Sequence, residues 1–163
     1  MICYRMHESP LGRLLLAASD AGLCGVYFEE HRHFPGAQGW QEGEHPHLTR
    51  AAMQLDAYFN GSLRAFDLPL DPQGTPFQQA VWRHLSTVAY GATASYLSHA
   101  RAIGADRAVR AVGSAIGRNP LAIIVPCHRI VGSDGRLTGY AGGLERKRYL
   151  LTFEAAGAVK QSI

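Results

Sequence analysis

The stretch Leu68-Pro69-Leu70-Asp71-Pro72-Gln73-Gly74, followed at once by Thr75-Pro76-Phe77-Gln78, constrains the fold of this 163-residue chain more than any other feature. Two prolines and a glycine so close together break any helix or central strand, so regular structure stops there. The next four residues carry a helix start: threonine at the N-cap, proline at the first helical position and glutamine at the third, as in a capping box. The chain is therefore expected to divide near residue 73, into parts spanning 1–73 and 74–163. The predicted fold class is α/β, with an antiparallel sheet and helix first and a mostly helical part second.

Residues 2 to 7, 12 to 18 and 23 to 28 read as short strands, with Pro10-Leu11-Gly12 and Ser19-Asp20-Ala21-Gly22 as turns, which predicts an antiparallel meander. From Glu30 to Pro46 the composition shifts to His, Gly, Gln and Glu, a long surface connection. Leu48, Ala51, Ala52, Leu55, Tyr58 and Phe59 then recur at helical spacing, and Asn60-Gly61 supplies a left-handed stop. Residues 62 to 67 are a candidate further strand. In the second part Val81, Trp82 and Leu85 give the first helix its apolar face. A helix from about Ser95 to Ile103, the turn Gly104-Ala105, and a helix capped by Asp106 and running through Ile116 make a helix-turn-helix pattern. The pattern alone fits a helical hairpin that never meets DNA equally well.

Within that second helix Ala108, Ala111, Gly113, Ser114 and Ala115 leave one side nearly bare, while Arg110 projects a long cation. Glycine in mid-helix costs roughly 1 kcal/mol relative to alanine, so small residues here point to close approach of another surface, a neighbouring helix or a nucleic-acid groove. The formal charge of +3 suits a polyanion without requiring one. An apolar fraction of 47% supports a real core. Three cysteines, at 3, 24 and 127, make no paired framework and fit a reducing compartment. The start of the chain lacks a signal-peptide core and no run approaches the roughly 20 apolar residues of a membrane span, so a cytoplasmic protein without membrane partners is expected.

Chemistry concentrates in Pro126-Cys127-His128-Arg129-Ile130, at the end of the apolar run Leu121 to Val125. A thiol is nucleophilic only as thiolate, and here a base stands next to it. In an extended strand neighbouring side chains point to opposite faces, so the pair needs a turn, and Pro126 makes one plausible, with His128 reaching Cys127 through water. A Cys-His dipeptide taken alone reads first as a buried thiol beside a surface imidazole, and only its context overturns that.

The wider pattern carries a resemblance. Arg110-Ala111-Val112-Gly113, Arg118-Asn119-Pro120, Pro126 to Ile130, Thr138-Gly139-Tyr140-Ala141-Gly142-Gly143-Leu144, Lys147, Leu150-Leu151 and Glu154 together resemble the C-terminal domain of O6-alkylguanine-DNA alkyltransferases, without gaps over about residues 75 to 155. The first part is similar in outline, through Ser9-Pro10-Leu11-Gly12 and the helix ending in Tyr58-Phe59. The resemblance implies a ribonuclease H-like unit over 1–73 and a winged helix-turn-helix domain over 74–163 that carries the active site. It implies direct-reversal repair, with the alkyl group of O6-alkylguanine in double-stranded DNA passing irreversibly to Cys127, and leaves O4-alkylthymine open. A monomer is implied, with cooperative loading on DNA an open question.

Residue roles follow from the same resemblance. Glu154 would bond His128, so that the other ring nitrogen draws a proton from Cys127 through water, and Asn119 would tie the recognition helix to the active-site turn. Tyr96, Ile130, Tyr140 and Ala141 would form the base pocket: Tyr96 acts on the flipped guanine or its phosphate, the Cys127 and Ile130 carbonyls accept from the exocyclic amine, and the Ala141 amide faces O6. Arg110 would fill the vacated stack in the minor groove, and Ala111, Gly113, Ser114, Arg118 and Ser133 would meet DNA. Without the resemblance, Glu154 reads as an exposed carboxylate on a helix from Glu145 to Ala155, Tyr96 and Tyr140 as semi-buried tyrosines, and Asn119 as a turn residue. Three departures stand out: Ala141 where some relatives carry serine, Arg118 directly before Asn119, and Leu97-Ser98-His99 without a polar helix start. No cofactor is expected, and no metal, because Cys3, Cys24, His31/His33 and His45/His47 lack tight ligand spacing. Two rivals are a non-catalytic binder of alkylated bases, which Cys127 argues against, and a cysteine hydrolase, which usually separates nucleophile and base widely in sequence.

Overall fold

The computed structural model describes residues 1–162. The meander forms as the strands and turns read from the sequence predict: β1 (Cys3–Ser9), β2 (Gly12–Ala18) and β3 (Leu23–Phe28) pair antiparallel, with Cys3 opposite Ala18 and Leu14 opposite Phe28. The sheet is not wholly antiparallel, since β4 (Gln41–Glu42), from the connection read as irregular, joins β1 in parallel. Helix α1 (Pro46–Phe59) turns Leu48, Ala51, Ala52, Leu55 and Tyr58 inward. The expected stop at Asn60-Gly61 is present, with Gly61 at φ 87°.

Every residue of β3 is buried, and its outer edge positions the rest of the molecule. The amide of Leu23 donates to the Pro69 carbonyl at 2.8 Å and Asp71 donates back to Leu23 at 2.7 Å, so the proline-rich linker is stitched to the sheet. Gly22 is required there, because a Cβ would stand 2.6 Å from the Pro69 carbonyl oxygen. Farther along, Val26 donates to Pro120 at 2.8 Å and accepts from Ala122 at 3.2 Å. One strand edge thus fixes both the linker and the approach to Cys127, and satisfies backbone groups an open edge would leave unpaired.

In the second part the capping box forms as expected at α2 (Pro76–Leu85), with Thr75 and Gln78 reciprocally bonded. Helices α3 (Tyr96–Ala102) and α4 (Val109–Gly117) pack with it through Val81, Trp82, Leu85, Ala100, Val112, Ala115 and Ile116. The indole of Trp82 donates to the Ala115 carbonyl at 2.8 Å. The short strands β5 (Ala94–Ser95) and β6 (Ile130–Val131) pair in parallel beside the active-site turn, and α5 (Leu144–Ser162) closes the molecule.

Three sequence expectations are corrected. Residues 62 to 67 form no strand: Ser62 and Leu63 donate to Ala57, and the Gln54 amide bonds both backbone groups of Asp67, so that segment is satisfied by α1. Asp106 does not cap α4, because Ala108 bonds Ala105 in a tight turn and the helix begins only at Val109. The polar start missing from Leu97-Ser98-His99 is supplied one residue before the helix by Ser95, whose hydroxyl accepts from the Ser98 amide.

His31 and His45 of the connection have structural partners. His45 caps α1 by accepting from the His47 amide, and His31 accepts from Phe28. Among the described residues no three His, Cys, Asp or Glu side chains gather as a metal ion would require, and no helix is long and apolar enough to cross a membrane.

Candidate active site

Buried Asn119 organises the approach to the cysteine. Its side-chain amide donates to the Val125 carbonyl at 2.9 Å and toward Leu121 at 3.4 Å, and its oxygen accepts from the Leu121 amide at 3.0 Å. Inside the loop so closed, Ile123 sits at φ 71°. A β-branched residue in the left-handed region persists only where its surroundings impose it, and here the flanking backbone bonds do so. Asn119→Ala leaves the Leu121 amide unpaired in a buried place and takes from the Val125 carbonyl one of its two donors, the other being the Cys127 amide. The expected outcome in urea unfolding is a loss of about 1 to 3 kcal/mol, with slower chemistry at Cys127.

The chain then enters a 3-10 turn over Cys127–Arg129, the predicted break, and the Ile130 amide closes it on the Cys127 carbonyl. Cys127 is buried, and burial pushes its thiol pKa up, while the Asn119 amide, the Lys147 ammonium and the Tyr140 hydroxyl act in the opposite direction. A free thiolate is not the resting state, so a base is needed.

His128 supplies that base. The ring is fully buried, and its Nε2 lies 2.7 Å from Glu154 Oε2. Burial depresses the imidazole pKa despite the bond to the carboxylate, so the ring is neutral. An ionised carboxylate only accepts, so Nε2 carries the hydrogen and Nδ1 keeps its lone pair. Nδ1 is buried and has no partner among the described residues.

Glu154 is 1% exposed, which overturns its reading as a surface carboxylate. Arg129 Nε and Nη2 donate to its two oxygens at 2.8 and 3.0 Å, and the Tyr58 hydroxyl donates to Oε2 at 2.6 Å. Burial alone would raise this carboxyl, but the bonds from His128 and Arg129 and the Arg129 charge hold it at about 2. Arg129 is anchored in turn by Nη1 donating to Val88 at 2.7 Å.

Beside this cluster lies a cleft of about 610 Å³ lined by Tyr96, Gly113, Ser114, Arg118, Tyr140 and Ala141, with Arg32 and His33 from the first part of the chain at its rim. Tyr96 accepts from the Thr138 hydroxyl at 2.9 Å, and the Tyr140 hydroxyl is buried without a partner among the described residues. Buried Lys147 donates to the Ile130 and Thr138 carbonyls at 2.6 and 2.9 Å, and burial lowers its pKa to about 8. On α4, Val112, Ala115 and Ile116 are turned to the core while Arg110, Ala111 and Ser114 face solvent. The neighbouring-helix explanation therefore holds for Ala115 and fails for the outward small residues. Ser133 is exposed on the loop after β6, outside the buried cluster.

Sequence reasoning missed the parts played by Tyr58, Arg129 and Lys147. Arg129 stood inside the singled-out motif, yet nothing in a sequence shows that its charge turns inward. Tyr58 read as an ordinary core residue of α1.

Two family models cover nearly the whole chain: "6-O-methylguanine DNA methyltransferase, ribonuclease-like domain" matches residues 2–72, and "6-O-methylguanine DNA methyltransferase, DNA binding domain" matches residues 76–156. The chain belongs to the 6-O-methylguanine DNA methyltransferase family. The methylated-DNA--protein-cysteine methyltransferase of Mycolicibacterium paratuberculosis is 49% identical over 154 residues, 94% of this chain and 93% of that protein. Its counterpart from Methanosarcina barkeri is 48% identical, over 93% of this chain and 96% of that protein. Among solved structures, Mycobacterium tuberculosis OGT in complex with DNA superposes with a TM-score of 0.90 at 47% identity, covering 95% of this chain and 94% of that one. The mixed α/β architecture with a helical second part is thus the methyltransferase family's fold.

Proposed function

We propose that this protein repairs double-stranded DNA by direct reversal, transferring the alkyl group of O6-alkylguanine to Sγ of Cys127. The observation that carries the proposal is the imidazole of His128, with Nε2 committed to an ionised Glu154 and Nδ1 left as a free acceptor in the residue next to a buried thiol. A water passes the thiol proton to Nδ1. The thiolate attacks the O6-alkyl carbon, the carbon–oxygen bond breaks, and its electron pair leaves with guanine, which takes a proton at N1 from water, while His128 returns the thiol proton to water. Sulfur is left as a thioether with no acyl carbon for water to attack, so each molecule acts once.

The remaining assignments rest on the same reading. Residues 1–73 form the supporting domain and 74–163 the alkyl-transfer domain. Tyr96, Tyr140 and Ala141 line the cleft that receives the extruded base, with the second lone pairs of the Cys127 and Ile130 carbonyls open to its exocyclic amine. Arg110, Ala111, Gly113, Ser114, Arg118 and Ser133 meet the duplex. A stacked O6-alkyl group is beyond reach of a thiolate, so the nucleotide must leave the helix at a cost of a few kcal/mol, and an exposed arginine among small residues suits the vacated space. Intact-mass measurement after incubation with alkylated duplex tests the proposal. One permanent alkyl adduct per chain supports it, whereas binding without an adduct, or product release without one, would replace it with a damage binder or a hydrolase.

Arg110→Ala tests the DNA half. At saturating protein the variant is expected to lose about tenfold or more in single-turnover transfer on duplex, with little change on free O6-alkylguanine, which needs no extrusion. Equal losses on both substrates would place the defect in the active site instead. A loss on duplex that saturating protein restores would make Arg110 a plain phosphate contact.

A further inference from the structure

We propose that Tyr58, delivered from α1 in the first part of the chain, is a positioning residue of the alkyl-transfer relay: its hydroxyl competes with His128 for Glu154 Oε2 and so sets how strongly the carboxylate holds the imidazole proton. The proposal rests on the alkyl-transfer reading above. Tyr58 is fully buried and lies 96 positions from Glu154 in sequence. Among the described residues Oε2 receives three donors, the Tyr58 hydroxyl at 2.6 Å, His128 Nε2 at 2.7 Å and Arg129 Nη2 at 3.0 Å, while Oε1 receives Arg129 Nε. Charge drawn from Oε2 by the phenol is charge withheld from the imidazole.

Packing does not demand that hydroxyl. The Tyr58 ring meets Phe59, Phe66, Phe153 and Tyr90 at centroid distances of 5.0, 5.5, 5.6 and 6.2 Å, a surrounding in which phenylalanine would serve as well. A buried hydroxyl is costly unless bonded, and this one has its bond at the carboxylate of the relay. Burial and the neighbouring carboxylate keep the phenol protonated far above neutrality, so it is a donor throughout the working range. The other groups facing Glu154 and His128 are Tyr90 after α2, Arg129 of the 3-10 turn and Lys147 of α5, with Cys127 and Tyr140 beyond them. Arg129 and Lys147 disfavour the imidazolium, and Glu154 favours it. Of these groups, Tyr58 alone comes from the first part of the chain, which thereby tunes the chemistry as well as supporting it.

The test is the His128 titration in the full-length protein, followed by NMR of its ring nitrogens. In Tyr58→Phe the Oε2 oxygen is left richer in charge, the imidazolium is favoured, and the midpoint rises by about half a unit to one unit. The acid limb of the transfer rate on free O6-alkylguanine moves up with it, because a protonated His128 cannot take the thiol proton. In a Glu154→Gln background the same substitution leaves the midpoint where it is, as a double-mutant cycle requires of an effect routed through that carboxylate. Replacing Tyr58 by 3-fluorotyrosine, a stronger donor of nearly the same shape, moves the midpoint down and keeps the test open even if Tyr58→Phe folds poorly. An unmoved midpoint in both position-58 variants, or a shift that persists in the Glu154→Gln background, overturns the proposal. The titration needs no substrate, so absence of alkyl transfer by the unaltered protein would defeat the functional reading while leaving the role of Tyr58 decided on its own evidence.

Discussion

Cys127→Ser is expected to lower alkyl transfer at least about a thousandfold while the protein still binds alkylated duplex. The reaction needs an anion on the attacking atom, and a serine hydroxyl near neutral pH yields far less of it than a thiol with a neighbouring base. Little else changes. The turn that presents residue 127 is held by main-chain bonds, from Ile130 to Cys127 and from Cys127 to Val125, which the substitution leaves untouched. The other two thiols are poor substitutes. Burial and the Asp71 charge raise the pKa of Cys24, and Cys3 lies half-buried with its sulfur toward the Glu44 carbonyl at 3.8 Å. Intact mass, peptide mapping and duplex binding on one preparation of the variant check both halves of the expectation. Transfer near the unaltered rate, or an alkyl group mapped to Cys3 or Cys24, would move the nucleophile away from residue 127.

What the sequence made legible follows the range of the interactions involved. The turn-bounded strands β1 to β3, the helical spacing of α1 and the capping box at Thr75 are local signals, and each element stands where its residues predict. Failures occur where a distant group decides. Residues 62 to 67 are a candidate strand by sequence, but Gln54 on α1 takes up the backbone of Asp67 and removes the need for a sheet partner. Asp106 has the chemistry of a cap, but it sits inside the tight turn that Ala108 closes on Ala105, and α4 starts only at Val109. The active-site cluster divides the same way. Cys127 and His128 are adjacent and announce themselves, and the resemblance brought in Glu154 and Asn119. Tyr58 and Arg129 reach Glu154 only after α1, the 3-10 turn and α5 have met, and no spacing in the chain encodes that meeting.

Arg129→Met is expected to destabilise the protein by about 3 to 5 kcal/mol at neutral pH, because it removes one partner of a buried ion pair and strands the other. Glu154 would keep His128 and Tyr58 but lose both guanidinium bonds, and the Val88 carbonyl would lose its donor. The pH dependence separates this cause from lost packing over the Tyr90 ring, which lies 5.8 Å from the guanidinium carbon. In the unaltered protein the Glu154 carboxyl is depressed from 4.5 to about 2, so its contribution to stability is present above about pH 4.5 and is lost as pH falls toward 2. Without the Arg129 charge and bonds, burial dominates and the folded-state pKa rises, so the variant gains less from ionising Glu154. The stability gap in urea unfolding should therefore be widest above about pH 4.5 and shrink as the pH is lowered, since a protonated Glu154 no longer needs a cation and Arg129 itself becomes the buried charge without a partner. A gap that stays constant from neutral pH to pH 2.5 would mean that Arg129 stabilises through the Val88 bond and its stacking, and that the carboxylate of the relay is held by His128 and Tyr58 alone.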